Sequence, residues 1–106
     1  MSASRHRLCA VEELEPGQAR RFEVEGHRVA LVRIGDDFYA IGDRCSHADF
    51  SLAEGEVLAD DLEIECWKHG STFSLTTGEP QSLPAVKPVP VYSVRVDGDA
   101  VVLVLP

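Results

Sequence analysis

Four side chains stand apart by type and spacing: Cys45-x-His47 and, after eighteen intervening residues, Cys66-x-x-His69. Two thiolates with two imidazoles suit zinc or an iron–sulfur centre and suit magnesium or calcium poorly. A single tetrahedral zinc is usually gripped by a C-x2–4-C pair and an H-x3–5-H pair, each chelating the same ion. Here each segment supplies one cysteine and one histidine, and the first pair is only two residues apart. That mixed arrangement fits two adjacent metals bracketed from both sides. A structural zinc, or two core cysteines beside two surface histidines, are the bland alternatives. A catalytic Cys–His pair is disfavoured because one nucleophile does not need two equivalent pairs.

Both pairs sit in segments that interrupt a rhythm of strands. Phe22 to Val24 and Arg28 to Ile34 flank Glu25-Gly26, a hairpin turn signal. Phe38 to Ile41 follows the turn cluster Gly35-Asp36-Asp37. Leu62, Ile64 and Cys66 alternate with Glu63 and Glu65, the period-2 pattern of a half-buried strand. Tyr92 to Val96 and Ala100 to Leu105 flank Asp97-Gly98-Asp99, a second hairpin. Pro88 and Pro90 lack the N–H a ladder needs, which places them at an edge or leading into a strand. Helix signals are nearly absent: Val11-Glu12-Glu13-Leu14 makes one turn at most before Pro16-Gly17. The expectation is an all-β, antiparallel sandwich or small barrel. Segments 43–55 and 66–71 become loops displayed by that rigid sheet, where sites tend to be built.

The whole chain of 106 residues reads as one domain, 1–106. Ten basic against eighteen acidic side chains give a net charge of −8, which argues against nucleic acid or an anionic membrane as partner. The longest apolar run, Ala100 to Leu105, is far short of the roughly 20 residues of a membrane span. The N-terminal residues lack a secretory pattern, so a cytoplasmic protein is expected. Three cysteines, an odd number, argue against a disulfide-stapled module. Cys9 reads as a small buried hydrophobe, and His6 and His27 as surface residues. Glu54, Glu56, Asp60, Asp61, Glu63 and Glu65 fall within twelve residues with no base among them. They read either as a steering surface for basic partners or as a solvated face.

C-S-H-A-D-F-S-L (45–52) and C-W-K-H-G-S-T-F (66–73) are similar to the two cluster-binding loops of Rieske-type ferredoxins. These are components of bacterial ring-hydroxylating dioxygenase systems with non-heme iron, and the resemblance spans nearly the whole chain. It implies a Rieske-type antiparallel β-sandwich with a cluster-binding subdomain formed by two loops at one tip. It also implies one [2Fe–2S] cluster, with Cys45 and Cys66 on one iron and His47 and His69 on the other. Around them, Trp67, Lys68 and Ser71 would line the site, and Leu83-Pro84-Ala85 resembles the proline-bearing loop that covers the cluster. The departures matter too. Phe50 and Lys68 stand where Rieske proteins of respiratory complexes carry an extra disulfide. Phe73 stands where those relatives have a tyrosine that donates to a cluster thiolate. Loss of such a hydrogen bond predicts a potential at the low end of the range, on the order of −150 mV.

With every iron position filled there is no open site for substrate, so no catalytic residue is expected. The resemblance implies an electron carrier, not an enzyme. It would be a monomer that takes one electron from a flavin-dependent ferredoxin reductase and passes it to a non-heme iron oxygenase or similar acceptor. The alternatives are the small subunit of an assimilatory nitrite reductase, which shares the fold, and a structural zinc-binding interaction module.

Overall fold

The computed structural model describes residues 4–44, 51–67, 70–81 and 87–105. Among the described residues nine strands run in chain order: β1 (Ser4–Ala10), β2 (Ala19–Val24), β3 (His27–Ile34), β4 (Asp37–Gly42), β5 (Glu56–Leu58), β6 (Glu63–Glu65), β7 (Thr72–Ser74), β8 (Val91–Asp97) and β9 (Ala100–Leu105). Single 3-10 turns occupy Val11–Glu13, Leu52–Glu54 and Ala59–Asp61. All strand pairs are antiparallel. Six strands form one sheet in the order β1-β9-β8-β4-β3-β2, and three form a smaller one, β5-β6-β7. No helix among the described residues is long and apolar enough to cross a membrane.

The expected hairpins form where the turn chemistry allows. Glu25 (φ 49°) and Gly26 (φ 83°) both take positive φ, the requirement of the two-residue turn that matches strand twist. The β8–β9 turn uses Gly98 at φ 65°. The alternation over Leu62 to Cys66 yields a shorter strand than expected. Leu62 adopts the left-handed conformation at φ 53°, closing the Ala59–Asp61 turn, and β6 begins at Glu63. Strand β1 carried too few apolar residues to be read as one. It is an edge strand, so its outer backbone and its alternate side chains (Arg5, Arg7) face water.

The core explains the layering. Strand β3 buries four consecutive residues, Val29 to Val32, because both of its faces are covered. Val29 and Leu31 join Cys9, Leu14, Ala40, Val101, Leu103 and Leu105 inside the large sheet. Ala30 and Val32 face the other way, packing with Ile41, Leu52, Ile64, Cys66, Phe73, Leu75 and Val89. That second cluster glues the small sheet to the large one. The large sheet also curls: His6 on β1 reaches within 3.5 Å of Glu25 in the β2–β3 turn, joining opposite ends of the strand order.

Candidate metal centre

Cys66 is where the sequence placed a metal donor, and the small sheet fixes it. Along β6 the pleat sends Ile64 inward with Cys66 beyond it, and both are fully buried in the core that joins the sheets. The chain then reverses within a few residues. The Cys66 N–H donates to the Ser71 carbonyl at 2.7 Å, and the Gly70 N–H donates to the Cys66 carbonyl at 2.9 Å. Gly70 accepts φ +74° there, a conformation a side chain would resist. Ser71 is fully buried and Phe73 on β7 anchors the returning strand in the same core. Trp67, directly after the buried cysteine, leaves 51% of its surface exposed. One residue therefore separates a core thiol from the solvent boundary.

The other segment meets this one at its base. Residues Asp43 and Arg44 lead out of β4, and Arg44 pairs with Ser51 in an isolated antiparallel bridge. The chain returns through the Leu52–Glu54 turn and passes Gly55. A Cβ at Gly55 would collide with the Glu65 carbonyl, so only glycine lets this stem lie against the end of β6. Glu56 then pairs directly with Glu65, the residue before Cys66. The third segment starts beside the second: the Gln81 N–H donates to the Thr72 carbonyl at 2.7 Å, and Phe73 bridges Pro80. Described stems of all three sequence-predicted loops thus meet at one corner of the small sheet.

Cys45, His47, Lys68, His69 and Pro84, read as ligands or neighbours, lie outside the described residues, as does Phe50. Among the expected donors, Cys66 is the one the described structure places. Cys9 is also a free thiol, but it sits in the other core, and burial pushes its pKa up, aided by the Glu13 carboxylate. His6 and His27 are engaged elsewhere, with Glu25 and with the Tyr92 ring. A fully buried, unbridged thiol at a tight turn between stems is a soft donor, which fits iron–sulfur ligation and not a hard cation.

One participant escaped sequence reasoning. Asp43 is fully buried and spans the base of the first loop, yet nothing in D-R-C-S-H distinguishes a buried aspartate from a solvated one. The acidic run does resolve. Glu56, Glu63 and Glu65 share the outer face of the small sheet, opposite Val57, Ile64 and Phe73, while Glu54, Asp60 and Asp61 are exposed on the flanking turns.

Comparison with known proteins agrees with this geometry. The family model described as Rieske [2Fe-2S] domain matches residues 4–93. The chain is 41% identical over 98 residues to the 3-phenylpropionate/cinnamic acid dioxygenase ferredoxin subunit of Shigella boydii serotype 4 (strain Sb227), covering 92% of this chain and 91% of that one. Its structure is similar to the ferredoxin of carbazole 1,9a-dioxygenase from Nocardioides aromaticivorans IC177, with TM-score 0.92, 44% identity and coverage of 97% and 98%. It is also similar to a chain from the complex of reduced oxygenase and oxidized ferredoxin in carbazole 1,9a-dioxygenase, with TM-score 0.86, 38% identity and coverage of 93% and 91%. The buried thiol, the loops sharing one corner and these matches converge: the chain belongs to the Rieske [2Fe-2S] domain family, whose cluster takes cysteine and histidine ligands, and it is an electron carrier of the ferredoxin kind and not a catalytic component.

Proposed function

We propose that the chain, as a single-domain monomer over 1–106, relays one electron at a time from a flavin-dependent ferredoxin reductase to a non-heme iron oxygenase in the cytoplasm. Cys45 and Cys66 hold one iron, and His47 and His69 hold the other. When bound, the cluster supplies one-electron redox chemistry. The protein's part is to seat it. Cys66 delivers its thiolate from the apolar core, and Gly70 lets the chain turn tightly beyond it. Trp67, Lys68, Ser71 and Pro84 form the surround that limits water and tunes the potential. Phe73, buried and without a hydroxyl, offers no hydrogen bond to a cluster sulfur, which supports the low potential expected.

The observation that carries this reading is the placement of Cys66, fully buried yet one residue from the half-exposed Trp67. Such a position shelters a redox group while keeping it near a docking partner. The oxygenase as acceptor draws on the carbazole dioxygenase complex, in which a relative of this chain is paired with one. The acidic face of the small sheet supports a partner with a basic docking surface.

The test is an EPR-monitored dithionite titration of anaerobically purified protein. A rhombic signal with a midpoint on the order of −150 mV is expected, and C66S and H69A should each abolish it. Zinc in place of iron, or no signal at any potential, would overturn the reading. Mixing the reduced protein with candidate oxygenases then assigns the acceptor.

A further inference from the structure

Asp43 has no exposed surface, and its two carboxylate oxygens are treated very differently. Oδ1 accepts from the Ser51 hydroxyl at 2.8 Å and from the Ala53 N–H at 2.9 Å. Oδ2 receives no hydrogen bond among the described residues, and the Arg28 guanidinium lies 3.9 Å from it. The backbone of Asp43 is equally committed. Its N–H donates to the Arg28 carbonyl at 3.0 Å, and its carbonyl accepts from the Leu52 N–H at 2.6 Å. Among the described residues, both partners of Oδ1, and the Leu52 N–H, come from the far side of segment 45–50.

A buried carboxylate with one oxygen unsatisfied is a poor device for stability, since an apolar residue of similar volume would avoid the desolvation cost. Its geometry suits another task. The three bonds across the stem close the loop that carries Cys45 and His47. They remove chain freedom that ligation would otherwise have to overcome. We propose that Asp43 is a positioning residue for the metal centre, clipping residues 43–44 to 51–53 so that the Cys45 and His47 donors are held before and during cluster binding. The proposal rests on the reading of Cys45 and His47 as ligands. Asp43 touches no redox partner and acts only through the loop.

The experiment compares wild type, D43N, D43A, S51A, C45S and R33A. Arg33 clamps the distant Val11–Leu14 segment, so R33A serves as a remotely destabilised control. Each variant is purified anaerobically and read for iron content, the rate of visible-absorbance loss to a chelator, EPR g-values and thermal midpoint. D43A should lose its cluster about tenfold faster than wild type and clearly faster than R33A at a comparable thermal midpoint. S51A should lose it at an intermediate rate, because one of the two Oδ1 bonds survives. D43N keeps an acceptor oxygen for Ser51 and Ala53, so it should hold the cluster within about twofold of wild type with similar g-values.

If D43A fails to fold, S51A against R33A decides the matter by the same criterion. Cluster loss that tracks the thermal midpoint across all variants would overturn the proposal, as would D43N leaking as fast as D43A. C45S keeps the two failures apart. Wild-type iron and EPR in C45S would refute the ligand reading itself, whereas C45S without a cluster and D43A with wild-type retention would refute only the clip.

Discussion

At the scale of single residues, burial decides what a side chain can do. Cys66 and Cys9 are both buried thiols, but Cys66 ends a strand beside a tight turn while Cys9 is packed among Leu14, Val29 and Val101. Burial raises the Cys9 pKa from its ordinary 9.0, and burial likewise raises that of Tyr92 from 10.0. In both cases the folded chain retains the proton longer than the unfolded chain does. The stability these protonated groups contribute is full below the unfolded values, and it declines as pH rises through 9.0 and then past 10.0. Denaturant midpoints measured from about pH 8 to about pH 11 should fall steadily, and C9A should flatten the first part of the decline. Arg33 shows how one side chain orders a segment whose own structure is a single 3-10 turn, Val11–Glu13. Its guanidinium donates to the carbonyls of Val11 (3.1 Å), Leu14 (2.8 Å) and Gly35 (2.8 Å) and stacks over Phe38 at 5.5 Å. R33A should cost about 2 kcal/mol in chemical denaturation, with R33K recovering only part, because an ammonium lacks the fork geometry.

Elements meet at glycines where backbones approach too closely for a side chain. Gly78 takes φ +75°, and a Cβ there would collide with the Val89 carbonyl, which itself precedes β8. Gly98 takes φ +65° in the β8–β9 turn with open space around it. The two positions therefore separate conformational cost from steric cost. G98A should lose about 1 kcal/mol, the penalty for left-handed backbone alone. G78A should lose at least about 2 kcal/mol more, because the segment leading into β8 must shift. Equal losses in urea denaturation would show that the Val89 contact yields freely. The Ser74 hydroxyl, which accepts from the Thr76 and Thr77 N–H groups and bonds the Thr76 hydroxyl, shapes the neighbouring turn, which is why the short β7 can reverse so soon after the Cys66 turn.

For the molecule as a whole, charge is distributed against local stability. Glu56 and Glu65 stand directly opposite on β5 and β6, a like-charge pair that weakens the strand pairing. Glu63 extends the same face. E56Q should raise stability by about 0.5 kcal/mol by relieving that repulsion. If the face steers partners, the same change should slow reduction by a basic reductase at low ionic strength, and the difference should vanish as salt screens it. A stopped-flow salt series checks this. A rate indifferent to both salt and E56Q would leave the acidic face as a solvated surface only.

The alternation of apolar residues, the turn dipeptides and the two Cys–His pairs were local signals, and they sufficed for an all-β antiparallel fold, two of its hairpins and the chemistry of the site. Such signals are written in neighbouring residues, so no tertiary information was needed to read them. Strand β1 was missed because an edge strand carries a weak apolar alternation, and the full extent of β6 was overestimated because Leu62 serves a turn. Asp43 was illegible for a different reason. Its burial follows from the return of residues 51–53 across the loop base, a contact between segments the sequence does not show to be adjacent. Likewise, the double-faced burial of β3 and the contact of Gly55 with the end of β6 exist only once the small sheet docks on the large one. Local residue types determined what could bind; the packing of two sheets decided which loops share a corner and which carboxylate lies between them.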